Sequence, residues 1–293
     1  MNGKARIGFA VVAACALVLT GTQCGKSGEK SDAKAEKKRE ITVISREESS
    51  GTRGAFDELM KITDGKTNML FAEAVIVSST DEVASKVEVD KEAIGYTSIG
   101  AITSKVKALT VDGVAAEEAN VKNGTYKISR PFAVAFRTGE KNQIAADFIA
   151  FLTSKEGQAL VTKTGYIEID NPADYKPAKL KGKLTLSGST SVEKVMEKLK
   201  EKYVELNPDV NVEINYNGSS AGIKDCLSKK SDIAMSSREL KAEEKEQLTG
   251  TTFALDGIAV VVNVANGMSA ITSENITKIF KGEVRYWNDL AAQ

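Results

Sequence analysis

Three stretches of this chain have the residue types to hold a small anion. They are Ile41–Arg53 (Ile-Thr-Val-Ile-Ser-Arg-Glu-Glu-Ser-Ser-Gly-Thr-Arg), Leu184–Ser191 (Leu-Thr-Leu-Ser-Gly-Ser-Thr-Ser) and Val212–Gly222 (Val-Glu-Ile-Asn-Tyr-Asn-Gly-Ser-Ser-Ala-Gly). Each reads as a strand that ends in a Gly/Ser/Thr loop and opens a helix. Such a loop bares backbone N–H groups at the positive end of the helix dipole, which suits an oxyanion. The expectation is that the three loops converge on one anion.

Composition removes several other chemistries. The chain has 293 residues and no histidine, so His-based triads, His general bases and most zinc sites are excluded. Cys15, Cys24 and Cys226 are too few for a metal cluster and imply no disulfide framework. The 42% apolar and 27% charged fractions are those of a soluble globule, and a formal net charge of zero points to no nucleic-acid partner. The length allows two modest domains.

The elements that must position the loops follow from periodicity. Glu40–Ser45 alternates like a strand, and Thr52–Met60 opens a helix with Phe56, Leu59 and Met60 at helical spacing. Phe71–Ser78 is strand-like, Glu82–Val89 suits a short helix, and Ala93–Thr97 reads as a short buried strand. Tyr126–Phe136 is a further strand, with Pro131 at an edge or bend. Asn142–Thr164 reads as one helix stopped by Gly165. Asn171–Lys183, with two prolines and several lysines, reads as a surface linker. Val192, Val195, Met196, Leu199, Tyr203 and Leu206 mark one helical stripe, with a capping box from Thr190 and Glu193 at its start. Ile223 and Leu227 mark the next helix, and Cys226 between them is expected to be a buried thiol. Asp232–Arg238 is a short strand and loop, Thr252–Asn263 holds a long apolar run, and Thr272–Phe280 is a helix. Tyr96 and Trp287 are expected to pack. Strands alternating with helices indicate an α/β architecture with largely parallel pairing.

The N-terminus reads as a targeting signal. Lys4 and Arg6 precede a short apolar run, Ile7–Leu19. Cys24 then resembles the lipidated first residue of a bacterial lipoprotein, although Gln23 stands where Gly or Ala is usual. Cys15 fits that box better but leaves a very short apolar region; ordinary cleavage and release is the plain alternative. Residues 1–24 are therefore expected to be a lipoprotein signal peptide, and 25–39 a flexible tether with almost no apolar side chain.

Taken together, the motifs resemble the phosphate-binding proteins of phosphate ABC transporters. The pieces are Gly188–Ser191, Asn217–Ile223, Asp232–Leu240, Ala254–Asn263, Ile279–Leu290 and Ser45–Phe56, and they cover nearly all of residues 40–293. Their order differs from the family's, in which the Gly-Ser-Thr-Ser half comes first. The chain therefore looks circularly permuted, with the family's old ends joined through roughly 170–183. The resemblance implies a two-lobe periplasmic-binding-protein-like (type II) fold that hinges about two crossing strands, here Asp256–Asn263 and Arg130–Phe136. One lobe would be continuous over 131–260. The other would be split between 40–130 and 261–293.

The resemblance also implies a site. Thr190, Ser191, Ser219, Ser50, Gly51 and Thr52 would surround the anion through hydroxyls and N–H groups, and Arg46 would add a charged contact. Glu48 would be the acidic partner that fixes Arg46. The family often has Asp where Ser237 stands. Asp256 is then the candidate acceptor for a phosphate proton, and Arg238 a candidate second guanidinium; Arg53 reads either as a surface arginine or as a further contact. The implied protein is a non-enzymatic, extracytoplasmic solute-binding lipoprotein, monomeric and cofactor-free, that delivers inorganic phosphate to ABC permease subunits.

Other readings keep the fold. A surface anion sensor or adhesin, or a binder of sulfate or molybdate, would look the same in sequence. A different class, an acyl-serine enzyme, is suggested by Ser191-Val-Glu-Lys194 (S-x-x-K) and Lys163-Thr-Gly165 (K-T-G), although their order is reversed and S-D-N is absent.

Overall fold

Strands and helices alternate along the computed structural model, which describes residues 38–290. The signal segment 1–24, both candidate lipidation cysteines and all but the end of the tether lie outside the described residues. The order opens with β1 (Thr42–Arg46), α1 (Gly51–Leu59), β2 (Val75–Val77), α2 (Thr80–Val89), β3 (Ala93–Ser98), β4 (Val106–Ala108), β5 (Thr110–Val111) and α3 (Glu118–Lys122). It continues with β6 (Ser129–Arg137), α4 (Gln143–Leu152), α5 (Lys155–Lys163), β7 (Gly182–Gly188), α6 (Glu193–Leu206), β8 (Val210–Tyr216), α7 (Ser219–Leu227) and β9 (Ile233–Ser236). α8 (Ala242–Lys245), β10 (Leu248–Asn263), β11 (Ala270–Ile271) and α9 (Ser273–Phe280) complete it.

The apolar run seen in sequence becomes β10, a strand of 16 residues that serves both lobes. Its first part pairs antiparallel with β6, from Leu248 opposite Arg137 to Gly257 opposite Ser129. Its second part pairs antiparallel with β3, from Ile258 opposite Ser98 to Val262 opposite Ile94, and with β4. The curled sheet runs β2-β1-β3-β10-β6-β9-β7-β8, and a small β5–β11 pair lies beside it.

Side-chain alternation along the strands fills cores on both faces. Val43, Val260 and Val262 join Phe56, Phe280 and Trp287 in one core, while their neighbours Ile44, Ala259 and Val261 pack against Val83 and Val87 of α2. In the other lobe Val134 faces the core of α4, α5 and α6, and Ala135 faces Ile223 and Cys226 of α7. The core changes along both crossing strands. Tyr126 and Ile128 belong to the first core and Phe132 to the second; Ala254 belongs to the second and Ile258 to the first.

Several elements differ from their sequence reading. Pairing is parallel at β1–β2, β1–β3, β7–β8 and β7–β9, but antiparallel around β10 and β6, because these two strands cross between the lobes in opposite directions. The expected single helix over 142–164 is two helices. Ser154 breaks it, accepting the N–H of Gly157 at 3.1 Å as the cap of α5. Only Val75–Val77 of the expected strand 71–78 is extended. Residues 171–181 run over the surface ahead of β7, pinned where Tyr175 donates to Asp147 at 2.7 Å. Tyr96 stacks on Phe56, Trp287 is 4% exposed, and Cys226 is a buried free thiol.

Candidate functional site

The loop after β1 is shaped by its own side chains. Ser50 accepts the N–H of Arg53 at 3.2 Å and caps α1. The loop after β7 is capped one residue earlier than the capping box predicts. Ser189, not Thr190, accepts the N–H of Ser191 at 3.1 Å, and Thr190–Val192 forms a 3₁₀ turn ahead of α6. That tight turn frees the Thr190 side chain to face the opposite lobe. The loop after β8 needs glycine: Gly218 has φ of +93°, and a Cβ there would stand 2.6 Å from the Ser49 hydroxyl.

These helix starts meet. The Arg46 guanidinium, 1% exposed, donates through Nη2 to Thr190 Oγ1 at 2.9 Å. Thr52 and Ser191 share a hydroxyl hydrogen bond of 2.6 Å across the lobes. Gly51 lies so close to the third loop and to the end of β9 that a Cβ on it would stand 2.2 Å from Ser219 Oγ and 2.7 Å from Ser237 Oγ. Ser237 is joined to Ser189 by a 2.8 Å hydroxyl bond, and its N–H donates to Ser219 Oγ at 3.1 Å. The Ser220 N–H donates to Ser49 O at 3.0 Å, tying the starts of α7 and α1 together. Thr190, Ser191, Ser219, Ser237, Ser50, Gly51, Thr52 and Arg46 thus lie in one cluster at the seam between the lobes.

The acidic partner of Arg46 is Glu47, a correction to the expected Glu48. Glu47 takes Nε and Nη2 in a fork, both at 2.8 Å. The chain leaves β1 immediately after Arg46 and turns, with Ser50 N–H donating to Glu47 O, so the adjacent carboxylate folds alongside while Glu48 is exposed. Arg53 donates to Arg46 O at 2.9 Å and pairs with Asp57 at 3.3 Å, bracing β1 against α1.

Asp256 and Arg238 sit at the edges of the cluster, each in an ion pair. Asp256 Oδ2 takes Nε and Nη2 of Arg130 at 3.1 and 2.8 Å, and its Oδ1 accepts Ser98 Oγ at 2.7 Å. Arg130 also donates to Ser237 O at 3.2 Å, so the pair touches the cluster through that carbonyl. Burial pushes the Asp256 carboxyl up and the Arg130 guanidinium down from their ordinary values, and each partner opposes the other's shift. Arg238 forks to Glu244 at 2.8 Å twice and reaches Ser220 Oγ at 3.3 Å. Burial pushes the Glu244 carboxyl up, but Arg238 and the Lys241 N–H outweigh it and hold it below its ordinary value.

Two groups escaped the sequence reading. Thr80 accepts Nη1 of Arg46 at 3.1 Å and lies 3.0 Å from Ser191 Oγ. Its signal was present: Ser78-Ser79-Thr80 follows a strand and opens α2, a fourth copy of the same device. Ser189 was hidden because its neighbours Thr190 and Ser191 fit the motif equally well.

The arrangement suits anion capture. A buried guanidinium supplies charge, hydroxyls donate or accept, and helix starts add positive potential. It does not suit acyl-serine chemistry. The Lys194 ammonium donates to Gly100 O at 2.6 Å, while Ser191 Oγ is held by Thr52 and Thr80. Among the described residues no cluster of three or more Cys, Asp or Glu could hold a metal, and no helix is long and apolar enough to cross a membrane.

Known proteins place these observations. A family model described as the PBP superfamily domain matches residues 19–156 and 173–293. Phosphate-binding protein PstS 2 of Streptococcus agalactiae is 41% identical over 271 residues, covering 90% of this chain and 92% of that protein. The crystal structure of a phosphate-binding protein of a phosphate ABC transporter from Streptococcus pneumoniae superposes with a TM-score of 0.70 at 44% identity, over 85% of this chain and 98% of that one. Phosphate-binding protein PstS of Bacillus subtilis is 34% identical over 135 residues, 45% of this chain and 43% of that protein. The chain belongs to the PBP superfamily and, within it, to the family of PstS phosphate-binding proteins.

Proposed function

We propose that this chain captures inorganic phosphate between its two lobes and delivers it to an ABC permease outside the cytoplasm. It is a binding protein, not an enzyme. The observation that carries the reading is the meeting of Arg46 and Thr52 from one lobe with Thr190 and Ser191 from the other, at 2.9 and 2.6 Å. Thr190, Ser191, Ser219, Ser50, Gly51, Thr52, Ser237 and Arg46 surround the anion. Asp256 and Arg238 act from behind, the first by holding Arg130 against the Ser237 carbonyl, the second by holding the start of α7. The lobes, 131–260 and 40–130 with 261–293, open and close about β6 and β10.

Each hydrogen bond to a charged group contributes about 1.5–3 kcal/mol net. Several such bonds, less association and closure costs, allow a Kd of about 1 μM, which corresponds to about 8 kcal/mol. Calorimetry on residues 25–293 with phosphate, sulfate and molybdate tests the reading. Phosphate is expected to bind most tightly. No heat with phosphate, or tighter sulfate or molybdate binding, would reject it.

We also read the chain as a circular permutant anchored through Cys24. Residues 39–40 and 286–288 lie side by side, with Trp287 N–H donating to Arg39 O at 2.9 Å and Glu40 bridged to Tyr286. The match to the Streptococcus agalactiae protein runs in one order over 92% of that protein, whereas the Bacillus subtilis match stops at 43%, as expected when the halves are exchanged. A chain joined from 290 to 40 and reopened within 170–183 should fold and bind alike; its failure to fold would count against the permutation. Cys24→Ser should move the protein from the membrane to the soluble fraction, and an unchanged distribution would reject the anchor.

A further inference from the structure

We propose that Thr80, with the first turn of α2, is a fourth anion-contacting arm of the cleft; this rests on the anion reading above. Thr80 is 4% exposed, and its hydroxyl lies 3.0 Å from Ser191 Oγ and 3.5 Å from Thr190 Oγ1. It also accepts Nη1 of Arg46 at 3.1 Å. Three groups around the anion therefore surround one that belongs to none of the three motif loops.

The local chemistry favours direct contact. α2 has 10 residues, and Ser79 caps it by accepting the N–H of Glu82 at 3.2 Å. That cap leaves the N–H groups of Thr80 and Asp81, the first two of the helix, without intrahelical acceptors. The helix dipole adds positive potential at this end of α2. The acidic groups of the same turn do not oppose this. Glu82 folds back to accept both the N–H and the hydroxyl of Ser78, at 2.9 and 3.0 Å, and Asp81 is exposed. A threonine hydroxyl that accepts from Arg46 still has its own proton to give, and an anion beside Arg46 takes it in place of Ser191 Oγ, which lies 3.0 Å away.

The rival role is positioning: Thr80 could serve only to orient Arg46. Phosphate titration of residues 25–293 by calorimetry, extended to weak binders by phosphorus NMR, separates the two. Thr80→Val keeps the shape and removes the hydroxyl; it is expected to weaken phosphate binding about tenfold, the loss of one hydrogen bond to a charged group. Thr80→Ser should restore binding to within about threefold, because the donor returns. In an Arg46→Met background Thr80→Val should still cost about fivefold or more, since a direct contact does not depend on the guanidinium. No further loss in that background, or parental affinity in Thr80→Val alone, would overturn the proposal while leaving the anion site standing. Absence of phosphate binding by the unsubstituted protein would overturn the anion reading, and this inference with it.

Discussion

Arg46→Met should remove most phosphate affinity while leaving the fold intact. Arg46 is the charged group at the centre of the cluster, joined to Thr190 across the seam between the lobes at 2.9 Å and to Thr80 at 3.1 Å. Methionine keeps most of the apolar stem and discards the guanidinium. Truncating one partner of a buried charged contact costs about 2–5 kcal/mol, so Kd should weaken by roughly thirtyfold at the least. The loss goes beyond one missing donor, because Glu47 is left facing the anion without its counter-charge. Stability should change little, since the Glu47 side chain is 24% exposed and stays hydrated without its partner. Arg46→Lys should fall between, keeping the charge but losing the fork that holds two Glu47 oxygens at 2.8 Å. The measurement is calorimetry together with a thermal melt. A Kd within threefold of the parent's would remove Arg46 from the site.

Asp256→Ala should damage the fold. Asp256 and Arg130 are paired at 2.8 Å with side chains 0% and 1% exposed, on strand residues directly opposite each other where β10 and β6 cross. Removing the carboxylate strands a guanidinium in the interior, which typically costs about 3–5 kcal/mol. At about 2–4 °C per kcal/mol for a chain of this size, the melting temperature should fall by roughly 10 °C. Ser98 loses its acceptor as well, so the join between β3 and β10 weakens. Replacing both partners with apolar residues, Arg130→Met with Asp256→Leu, should recover part of the loss, because a buried ion pair need not outweigh good packing. A shift under about 2 °C in Asp256→Ala, or a double variant less stable than the single one, would contradict this account.

Much of the fold was legible in sequence because it is set by neighbours. The apolar stripe of α6 buries Val195, Met196, Leu199 and Tyr203 as its helical spacing required, and the apolar run before Asn263 became a buried strand. The three hydroxyl loops sit at helix starts for the same reason, since a cap hydrogen bond such as Ser50 to Arg53 spans only three residues.

What sequence left open lies at distances that local rules do not reach. Whether Glu47 or Glu48 holds Arg46, whether Ser189 or Thr190 caps its turn, and whether β6 and β10 run parallel or antiparallel depend on where the chain turns and crosses. That Glu244 forks to the candidate guanidinium of Arg238 appears only in the fold. The residue sequence determined that this protein has several anion-suited helix starts and enough apolar surface for two lobes. The tertiary structure alone decided which hydroxyls meet at one seam, because Arg46 and Thr190 are 144 positions apart, and Thr52 and Ser191 are 139 apart. Only the packing of two cores about β6 and β10 brings such residues within hydrogen-bond reach.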